Sequence, residues 1–225
     1  ILKTAEVITV VSLKPDKEKV EKIIKELERL YPGAKTALEY SNPFELLIAA
    51  ILSAQTTDKQ VNKITKSLFK KYSSAADFAA LKPEELEKEI KGCGLYRNKS
   101  RNIIETCRIL TEKYSGKVPP DFESLIKLPG VGRKTANVVL SSGFGKDAIA
   151  VDTHVFRVAN RLGLAQSSTP LGTERDLQRF VKKELWSKLH HWLIYHGRSI
   201  CTAKNPKCSS CTLRKWCSHY QKKIK

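Results

Sequence analysis

Apolar residues recur every three or four positions in almost every segment of this chain, and this spacing restricts the fold more than any other feature. It places apolar side chains on one face of an α-helix. Capping signals agree, because Ser41 and Asn42 precede Pro43 at the start of an apolar run. The predicted helices span residues 16–30, 43–52, 58–69, 83–91, 98–114, 121–128, 133–140, 152–162, 173–185 and 187–199.

Only two short segments, 8–11 and 149–151, have the apolar, β-branched composition of strands. Two such runs do not make a sheet, so the sequence predicts an all-α fold. A chain of 225 residues has room for one large domain or two smaller ones. No apolar run reaches the roughly 20 residues needed to span a bilayer, so a membrane is not an expected partner.

The charge of the chain is strongly positive. Lysine and arginine number 41 against 23 acidic residues, which gives a formal net charge of +18. A polyanion is the first partner to expect, and nucleic acid comes before a membrane surface. The basic residues are spread along the chain, which favours a basic face on a folded domain. Simple solubility is the alternative explanation.

Four of the six cysteines lie within the last 25 residues, at Cys201, Cys208, Cys211 and Cys217. Four thiolates so close in sequence can surround one metal centre. Zinc sites made of cysteine usually use two C-x2-C pairs, and this chain has one pair with a single cysteine on either side. A [4Fe-4S] cluster accepts four thiolates from such a loop. Both metals remain open on spacing alone, and redox-reactive thiols are the weakest interpretation.

The other two cysteines, Cys93 and Cys107, stand alone in the sequence. Cys107 shares a helical stripe with Ile103 and Leu110, which indicates a small buried residue. A secreted disulfide framework would spread its cysteines along the chain. The distribution therefore favours a reducing compartment.

The segment 128–136, Leu-Pro-Gly-Val-Gly-Arg-Lys-Thr-Ala, predicts two helices joined by a tight turn. Gly130 and Gly132 flank Val131, so the backbone can approach a partner closely. Free amides at the start of the second helix favour a phosphate. An ordinary helical hairpin is the alternative, but the following Arg133 and Lys134 favour phosphate binding.

Two residues near this turn could carry chemistry. Lys134 is either a surface cation or an amine nucleophile, whose neutral form the positive end of the helix dipole favours. Asp152 is either an N-cap or a carboxylate that stabilises positive charge and moves a proton. His154 is either a helper or a partly buried structural histidine.

These motifs together resemble the endonuclease III family of DNA glycosylases. The resemblance rests on the segment 128–136, on Val-Asp-Thr-His at 151–154 and on the four cysteines with their 6-2-5 spacing. Leu-Ser-Ala-Gln-Thr-Thr-Asp at 52–58 and Gly-Leu-Tyr-Arg-Asn-Lys at 94–99 match as well. The match runs from about Pro43 to Cys217.

The resemblance implies a two-domain helix-hairpin-helix fold with a DNA-binding cleft. A six-helix barrel would span 36–146, and a discontinuous cluster domain would comprise 1–35 and 147–225. The four cysteines would hold a [4Fe-4S] cluster in a C-terminal loop, with no part in base removal. Phosphate contacts are implied for the hairpin and for three basic residues of the cluster loop, Lys204, Lys207 and Arg214.

The implied activity is that of a bifunctional DNA glycosylase and abasic-site lyase of base excision repair. Lys134 would form a Schiff base and Asp152 would assist it. Gln55 would enter the space of an extruded base, and Leu95 would wedge between neighbouring bases. The substrate would be double-stranded DNA with an oxidised pyrimidine or an abasic site. A monomer in a prokaryotic cytoplasm, associated with the nucleoid, is expected, and a removed presequence would leave an organelle or nucleus open.

Rival functions are distinguished by single features. Adenine-mismatch and thymine-mismatch relatives lack the hairpin lysine, and 8-oxoguanine relatives generally lack the cluster cysteines. A DNA-binding module without activity would need the hairpin glycines but neither Lys134 nor Asp152. The sequence therefore favours the bifunctional enzyme.

Overall fold

The structure, a computed structural model, describes residues 16–223, and these residues form helices joined by loops. No strand occurs in this part of the chain, which confirms the predicted all-α fold. The α-helices are α1 (Lys17–Leu30), α2 (Pro43–Leu52), α3 (Asp58–Lys71), α4 (Ala75–Ala79), α5 (Pro83–Ile90), α6 (Tyr96–Tyr114), α7 (Phe122–Leu125), α8 (Arg133–Val138), α9 (Thr153–Leu162), α10 (Pro170–Phe180), α11 (Trp186–Ser199) and α12 (Ser218–Lys223).

Several helices start where the capping chemistry of the sequence places them. Asn42 accepts a hydrogen bond from the backbone of Glu45 ahead of α2, and Thr57 caps α3. Asp152 caps α9 through two backbone amides. These polar side chains satisfy amide groups that have no partner inside the helix.

Helices α4 and α10 differ from the prediction. Helix α4 was not predicted, because five residues are too few to show a periodic pattern; Ser74 and Asp77 hold it with a reciprocal capping box. Helix α10 spans Pro170–Phe180 rather than 173–185, because Thr169 caps it and Pro170 occupies its first turn. A short 3-10 turn, Lys183–Leu185, follows it.

The helix after the hairpin continues further than predicted. Instead of breaking at 141–145, α8 passes into a π-helical turn at Val139–Gly143. The hydroxyl of Tyr40 donates to the carbonyl of Ser142 at 2.8 Å.

The predicted strand at 149–151 is wrong. The segment is a connection between helices, and Ile149 is fully buried while its carbonyl accepts a hydrogen bond from Asn137 at 2.8 Å. It is apolar because it passes through the interior, not because it pairs in a sheet. The other strand prediction, at 8–11, lies outside the described residues.

Buried apolar residues form two separate clusters. The first runs from Leu38 to Ala148 and includes fully buried side chains of α2, α3, α5 and α6. The second joins α1 to residues from Ile149 to Cys217. Cys107 is fully buried in the first cluster, as predicted, and burial raises the pKa of its thiol to about 12. Cys93 is buried there too.

Among residues 16–223, none of the helices combines the length and the apolar character that a membrane crossing requires.

Two adjacent histidines of α11, His190 and His191, are buried with their rings 3.9 Å apart. Burial lowers the pKa of His190 to about 3 and that of His191 to about 4; the neighbouring His191 and Lys134 add to the shift of His190. The carbonyl of Trp186 opposes that shift, yet neither ring nitrogen of His190 makes a hydrogen bond of normal geometry with a described residue. Both rings are therefore neutral in the folded protein at neutral pH.

We expect the free energy of unfolding to fall as the pH drops from 7 to 5. The unfolded chain takes up protons near pH 6.5, whereas His190 in the folded chain does not, so acid favours unfolding. His190 alone should account for about 2 kcal/mol over this interval. Urea unfolding at several pH values should give a shallower dependence for His190→Gln than for the wild type. An unchanged dependence would contradict the assignment.

Candidate active site between the two cores

The hairpin between α7 and α8 is held rigidly by its own backbone. Gly130 has a left-handed φ of +76°, and a Cβ there would lie 3.1 Å from Cβ of Asn102. The hydroxyl of Thr106 donates to the carbonyl of Pro129 at 2.9 Å. The side chain of Val131 is buried, and its N–H donates to Leu128 at 3.1 Å. Gly130 and Val131 therefore shape the turn, and the N–H of Val131 is not free for a phosphate.

Gly132 occupies the N-cap position of α8 in extended backbone, and no atom lies within 4 Å of the Cβ it lacks. The residues that follow, Arg133 and Lys134, form the first turn of α8, where amide groups have no acceptor within the helix. This open, positively polarised end of the hairpin suits an anion.

Lys134 and Asp152 line the same pocket, although 18 residues separate them in sequence. They border a cavity of about 90 Å³ and also an adjoining groove of about 510 Å³. Lys134 is exposed and forms no ion pair with any described carboxylate. The structure thus brings the two predicted catalytic residues together without pairing them directly.

The orientation of Asp152 is fixed by the start of α9. Its Oδ1 accepts hydrogen bonds from the backbone N–H groups of His154 and Val155, both at 2.8 Å. No described residue donates to Oδ2, so this oxygen is available to a guest in the pocket. His154 is half-buried, and its Nδ1 lies 3.2 Å from the guanidinium of Arg157, as expected for a structural histidine.

An ion pair joins the hairpin to the second core. Nε and an Nη of Arg133 each donate to Glu174 of α10 at 2.9 Å. The Glu174 side chain is only 4% exposed. Its hydrogen bonds raise the pKa of Arg133, whose guanidinium also lies over the ring of Phe122 at 4.7 Å. Arg133 therefore links the two cores, and its first-turn backbone is the part left for a phosphate.

A second ion pair lies in the wall of the pocket. Arg198 of α11 donates to Asp58 at the start of α3, at 2.9 Å. Both residues line the cavity next to Lys134, as do His190 and His191. The pocket is thus closed by elements of both cores.

Gln55 and Leu95 lie on two neighbouring loops, and both have left-handed backbone, with φ of +53° and +58°. Gln55 lines the groove that contains Lys134 and Asp152. Leu95 is 55% exposed, unusual for so large an apolar side chain. The two residues that the resemblance assigns to DNA insertion therefore project from adjacent strained turns.

The four C-terminal cysteines line one cavity together with Arg161, whose guanidinium lies 3.5 Å from Sγ of Cys201. Burial is the largest cause of the raised pKa of Cys211 and Cys217, and the charges of neighbouring cysteines add to it. Among residues 16–223, no group of three His, Cys, Asp or Glu side chains is arranged to hold a single ion. The thiols surround a space instead of meeting at a point.

The basic residues of the cysteine loop differ in their surroundings and in their hydrogen bonds. Lys204 is exposed, Lys207 and Arg214 border the cysteine cavity, and Arg214 also donates to the carbonyl of Ser209 at 2.6 Å. All three remain on the surface, where a phosphate could reach them.

Comparisons with known proteins place this architecture in a class. The model of the family described as HhH-GPD superfamily base excision DNA repair protein matches residues 48–183. Endonuclease III of Rickettsia conorii is 50% identical over 89% of this chain and 96% of its own length. Endonuclease III of Escherichia coli is 46% identical over 92% of this chain and 98% of its own length.

Solved structures give the same result. A trapped covalent intermediate of endonuclease III with DNA superimposes with a TM-score of 0.88 at 49% identity, covering 93% of this chain and 99% of that one. A thermostable thymine-DNA glycosylase gives 0.83 at 27% identity, covering 91% and 98%. The fold and the site define a helix-hairpin-helix base excision repair protein. Within that class, the chain belongs to the endonuclease III family.

Sequence reasoning missed the groups that join the two cores and those that line the pocket beside Lys134. Nothing in the sequence indicated the ion pair of Glu174, because its partner Arg133 lies 41 residues away. Asp58 is the start of α3 and could be interpreted from sequence only as a helix signal. The two histidines lie among apolar residues of α11, and nothing in the sequence shows that they face Lys134.

The two hairpin glycines should differ in their effect on stability. Gly130→Ala forces a left-handed conformation on alanine and pushes its Cβ against Asn102, so we expect a loss of about 2 kcal/mol or more. In Gly132→Ala the added Cβ enters open space, and the backbone conformation suits any residue. We expect it to lower the free energy of unfolding by under about 1 kcal/mol. Thermal and urea unfolding of the two variants test this, and equal losses would contradict it.

Proposed function

We propose that this protein is a bifunctional DNA glycosylase and abasic-site lyase that removes oxidised pyrimidines from double-stranded DNA. The single observation that carries the proposal is the placement of Lys134 and Asp152 on one pocket between the two cores. The relatives support it, because endonuclease III has been trapped in a covalent intermediate with DNA.

The pocket is accessible only to a base that has left the duplex, because a glycosidic bond within stacked DNA cannot reach a side chain at the end of a groove. The cavity is small, and the adjoining groove gives room for the sugar and its phosphates. The damaged base would enter the cavity, and C1′ would lie between Lys134 and Asp152.

Asp152 would stabilise the positive charge that develops on the sugar as the glycosidic bond weakens. Its Oδ1 is held by two backbone amides, so Oδ2 faces the sugar in a fixed orientation. A carboxylate held in advance needs no reorganisation during the reaction. It can also take a proton from the attacking amine.

Lys134 would attack C1′ through the lone pair of Nζ while the bond from C1′ to the base breaks. The electron pair of that bond leaves with the base, which takes up a proton. Opening of the sugar ring then gives an imine between Nζ and C1′, with O4′ protonated. Because no described carboxylate pairs with Lys134, its side chain can reach the sugar without breaking an ion pair.

The imine makes the proton on C2′ acidic. Loss of that proton to a water molecule gives an enamine. The electron pair of the enamine then forms a double bond between C2′ and C3′, and the bond between C3′ and the 3′ oxygen breaks with its electron pair on the phosphate. The 3′ phosphate departs, and the strand is cleaved. Hydrolysis of the imine releases Lys134.

Gln55 and Leu95 would replace the extruded nucleotide. The amide of Gln55 can hydrogen-bond to the orphaned base on the opposite strand, and Leu95 can fill the gap between neighbouring bases. Their positions on adjacent loops support this assignment, as does the exposure of Leu95.

The DNA backbone would lie across both cores. The first turn of α8 with Gly132, Arg133 and Lys134 would hold one phosphate through backbone amides. Lys204, Lys207 and Arg214 would contact phosphates further along. Gly130 and Val131 contribute by shaping the hairpin.

The cysteine cavity fits a [4Fe-4S] cluster, which takes one thiolate on each iron and so needs thiols around a space. Cys201, Cys208, Cys211 and Cys217 would hold it. A bound cluster would supply iron–sulfur bonds that join the C-terminal loop to the end of α11, which lies two residues before Cys201, and we assign it no part in base removal. The guanidinium of Arg161 lies 3.5 Å from the sulfur of Cys201, at the edge of this site.

We further propose that the two apolar clusters are the cores of the two domains, 36–146 and 1–35 with 147–225. The positions of the clusters support this division. We place a monomer on the chromosome in a bacterial cytoplasm, which the bacterial origin of the relatives supports.

Borohydride trapping tests the reaction on duplex DNA with one thymine glycol and on the same duplex with an abasic site. The wild type should form a covalent adduct with both, and Lys134→Gln should form none. Lys127→Gln, an exposed lysine close to the hairpin, is the matched control and should keep the adduct. Asp152→Asn retains a capping oxygen but loses the charge, so we expect the rate of adduct formation to fall about 100-fold. An adduct that survives in Lys134→Gln would overturn the assignment.

Absorption near 400 nm together with metal analysis tests the cluster. The intact protein should contain iron and sulfide and absorb there, and Cys208→Ala should lose both signals. Cys107→Ala is the control, because this thiol is buried in the other core and should leave the absorption unchanged. Zinc without that absorption would refute the iron–sulfur assignment.

A further inference from the structure

One buried lysine has no part in the chemistry described above. The side chain of Lys99, in the first helical turn of α6, is almost completely buried. No described carboxylate forms an ion pair with it. Burial of a lysine without a counter-charge is costly, so its hydrogen bonds must compensate for lost hydration.

All three donors of the Lys99 amine are used on one loop. Nζ donates to the carbonyls of Leu52 and Ala54 at 2.7 and 2.6 Å and to the hydroxyl of Thr56 at 3.0 Å. These acceptors surround Gln55 at the C-terminal end of α2. The negative end of that helix dipole favours a cation there.

The backbone of Lys99 is hydrogen-bonded to the second loop. Its N–H donates to the carbonyl of Leu95 at 3.0 Å. This is the first regular hydrogen bond of α6, so Lys99 lies in the helical turn that begins at Leu95 while its side chain binds the Gln55 loop. Burial lowers the pKa of this amine, while the nearby Cys93 acts in the opposite direction.

The two loops also touch each other directly. The N–H of Gly94 donates to the hydroxyl of Thr56 at 3.2 Å, so Thr56 is shared by both loops. A Cβ on Gly94 would lie 3.1 Å from the carbonyl oxygen of Gln55. A larger residue at Gly94 would therefore require the backbone of Gln55 to shift by a few tenths of an ångström.

Gln55 and Leu95 both have left-handed backbone, which costs energy for residues other than glycine. Such conformations persist when the surroundings enforce them. The hydrogen bonds from the Lys99 amine to Leu52, Ala54 and Thr56, and from Gly94 to Thr56, flank these two residues.

We propose that Lys99 is a positioning residue that fixes the Gln55 loop and the Leu95 turn as one rigid two-pronged wedge before DNA binds. The proposal rests on the proposed function, because it assigns the wedge to base extrusion. A preformed wedge does not have to be ordered during binding, so more of the binding energy remains available to unstack the duplex. Lys99 would then govern extrusion and leave the chemistry of Lys134 untouched.

The test compares a substrate that needs extrusion with one that does not. Lys99→Met keeps about the same side-chain length but removes the three hydrogen bonds that the amine donates to Leu52, Ala54 and Thr56. We expect single-turnover excision of thymine glycol from duplex DNA to fall about 30-fold. Cleavage of an abasic site in single-stranded DNA should change less than about 3-fold, because no base has to leave a duplex.

Two further variants distinguish a loss of wedge rigidity from misfolding and from the loss of a positive charge. Thr56→Val removes the hydroxyl shared by the two loops at no change in charge, and should show the same substrate-dependent loss at about 5-fold. It keeps the test decisive if Lys99→Met does not fold. Lys113→Met removes one exposed charge near the other end of α6 and should leave both substrates unchanged.

A fluorescent probe reports how strongly the wedge unstacks the duplex, and it does so without any catalytic step. With 2-aminopurine opposite an uncleavable abasic analogue, the wild type should raise the fluorescence as the probe unstacks, and Lys99→Met should raise it less. Equal losses on duplex and single-stranded substrates, or an unchanged duplex rate in both variants, would overturn the proposal. Failure of the wild type to form a borohydride adduct at an abasic site would instead refute the proposed function.

Discussion

The paired hydrogen bonds between Arg133 and Glu174 are the interaction on which the geometry of the site depends. Glu174 is a nearly buried carboxylate and needs a charged partner. That partner is Arg133, the residue directly before Lys134 in the chain. The pair therefore fixes the start of α8 against α10, while Asp152 is fixed by its own helix. Together with the Arg198–Asp58 pair and the hydrogen bond from Asn137 to Ile149, it holds the lysine of one core at a defined position relative to the aspartate of the other.

The sequence predicted those features that depend on neighbouring residues. Capping residues located α2, α3 and α9, and the segment 128–136 indicated the hairpin through its glycines and the basic residues that follow them. Lys134 and Asp152 were identified because each lies in a motif that is continuous along the chain. The five residues of α4 and the buried connection at 149–151 were missed or misinterpreted, because short apolar segments have no diagnostic period.

Features that depend on distant partners could not be predicted. Arg133 was expected to bind phosphate, since nothing in its surroundings in the sequence indicates Glu174. Lys99 was part of a recognised motif, yet its burial and its three acceptors arise only when α2 and α6 are packed together. The pairing of Asp58 with Arg198 spans 140 residues and has no local pattern. Tertiary packing, and not local propensity, decides such roles.

The discontinuous second core has a consequence for the order in which the protein is made. The apolar face of α1, with Val20, Ile23 and Leu27, packs against residues that begin at Ile149. At about 5–20 residues per second, roughly 6 to 25 seconds pass between synthesis of this face and synthesis of its first partners. The first core is encoded entirely within that interval. The first core can therefore fold before the residues of the second core have been synthesised. Until the C-terminal half of the chain is made, the apolar face of α1 stays without its partners and is exposed to aggregation.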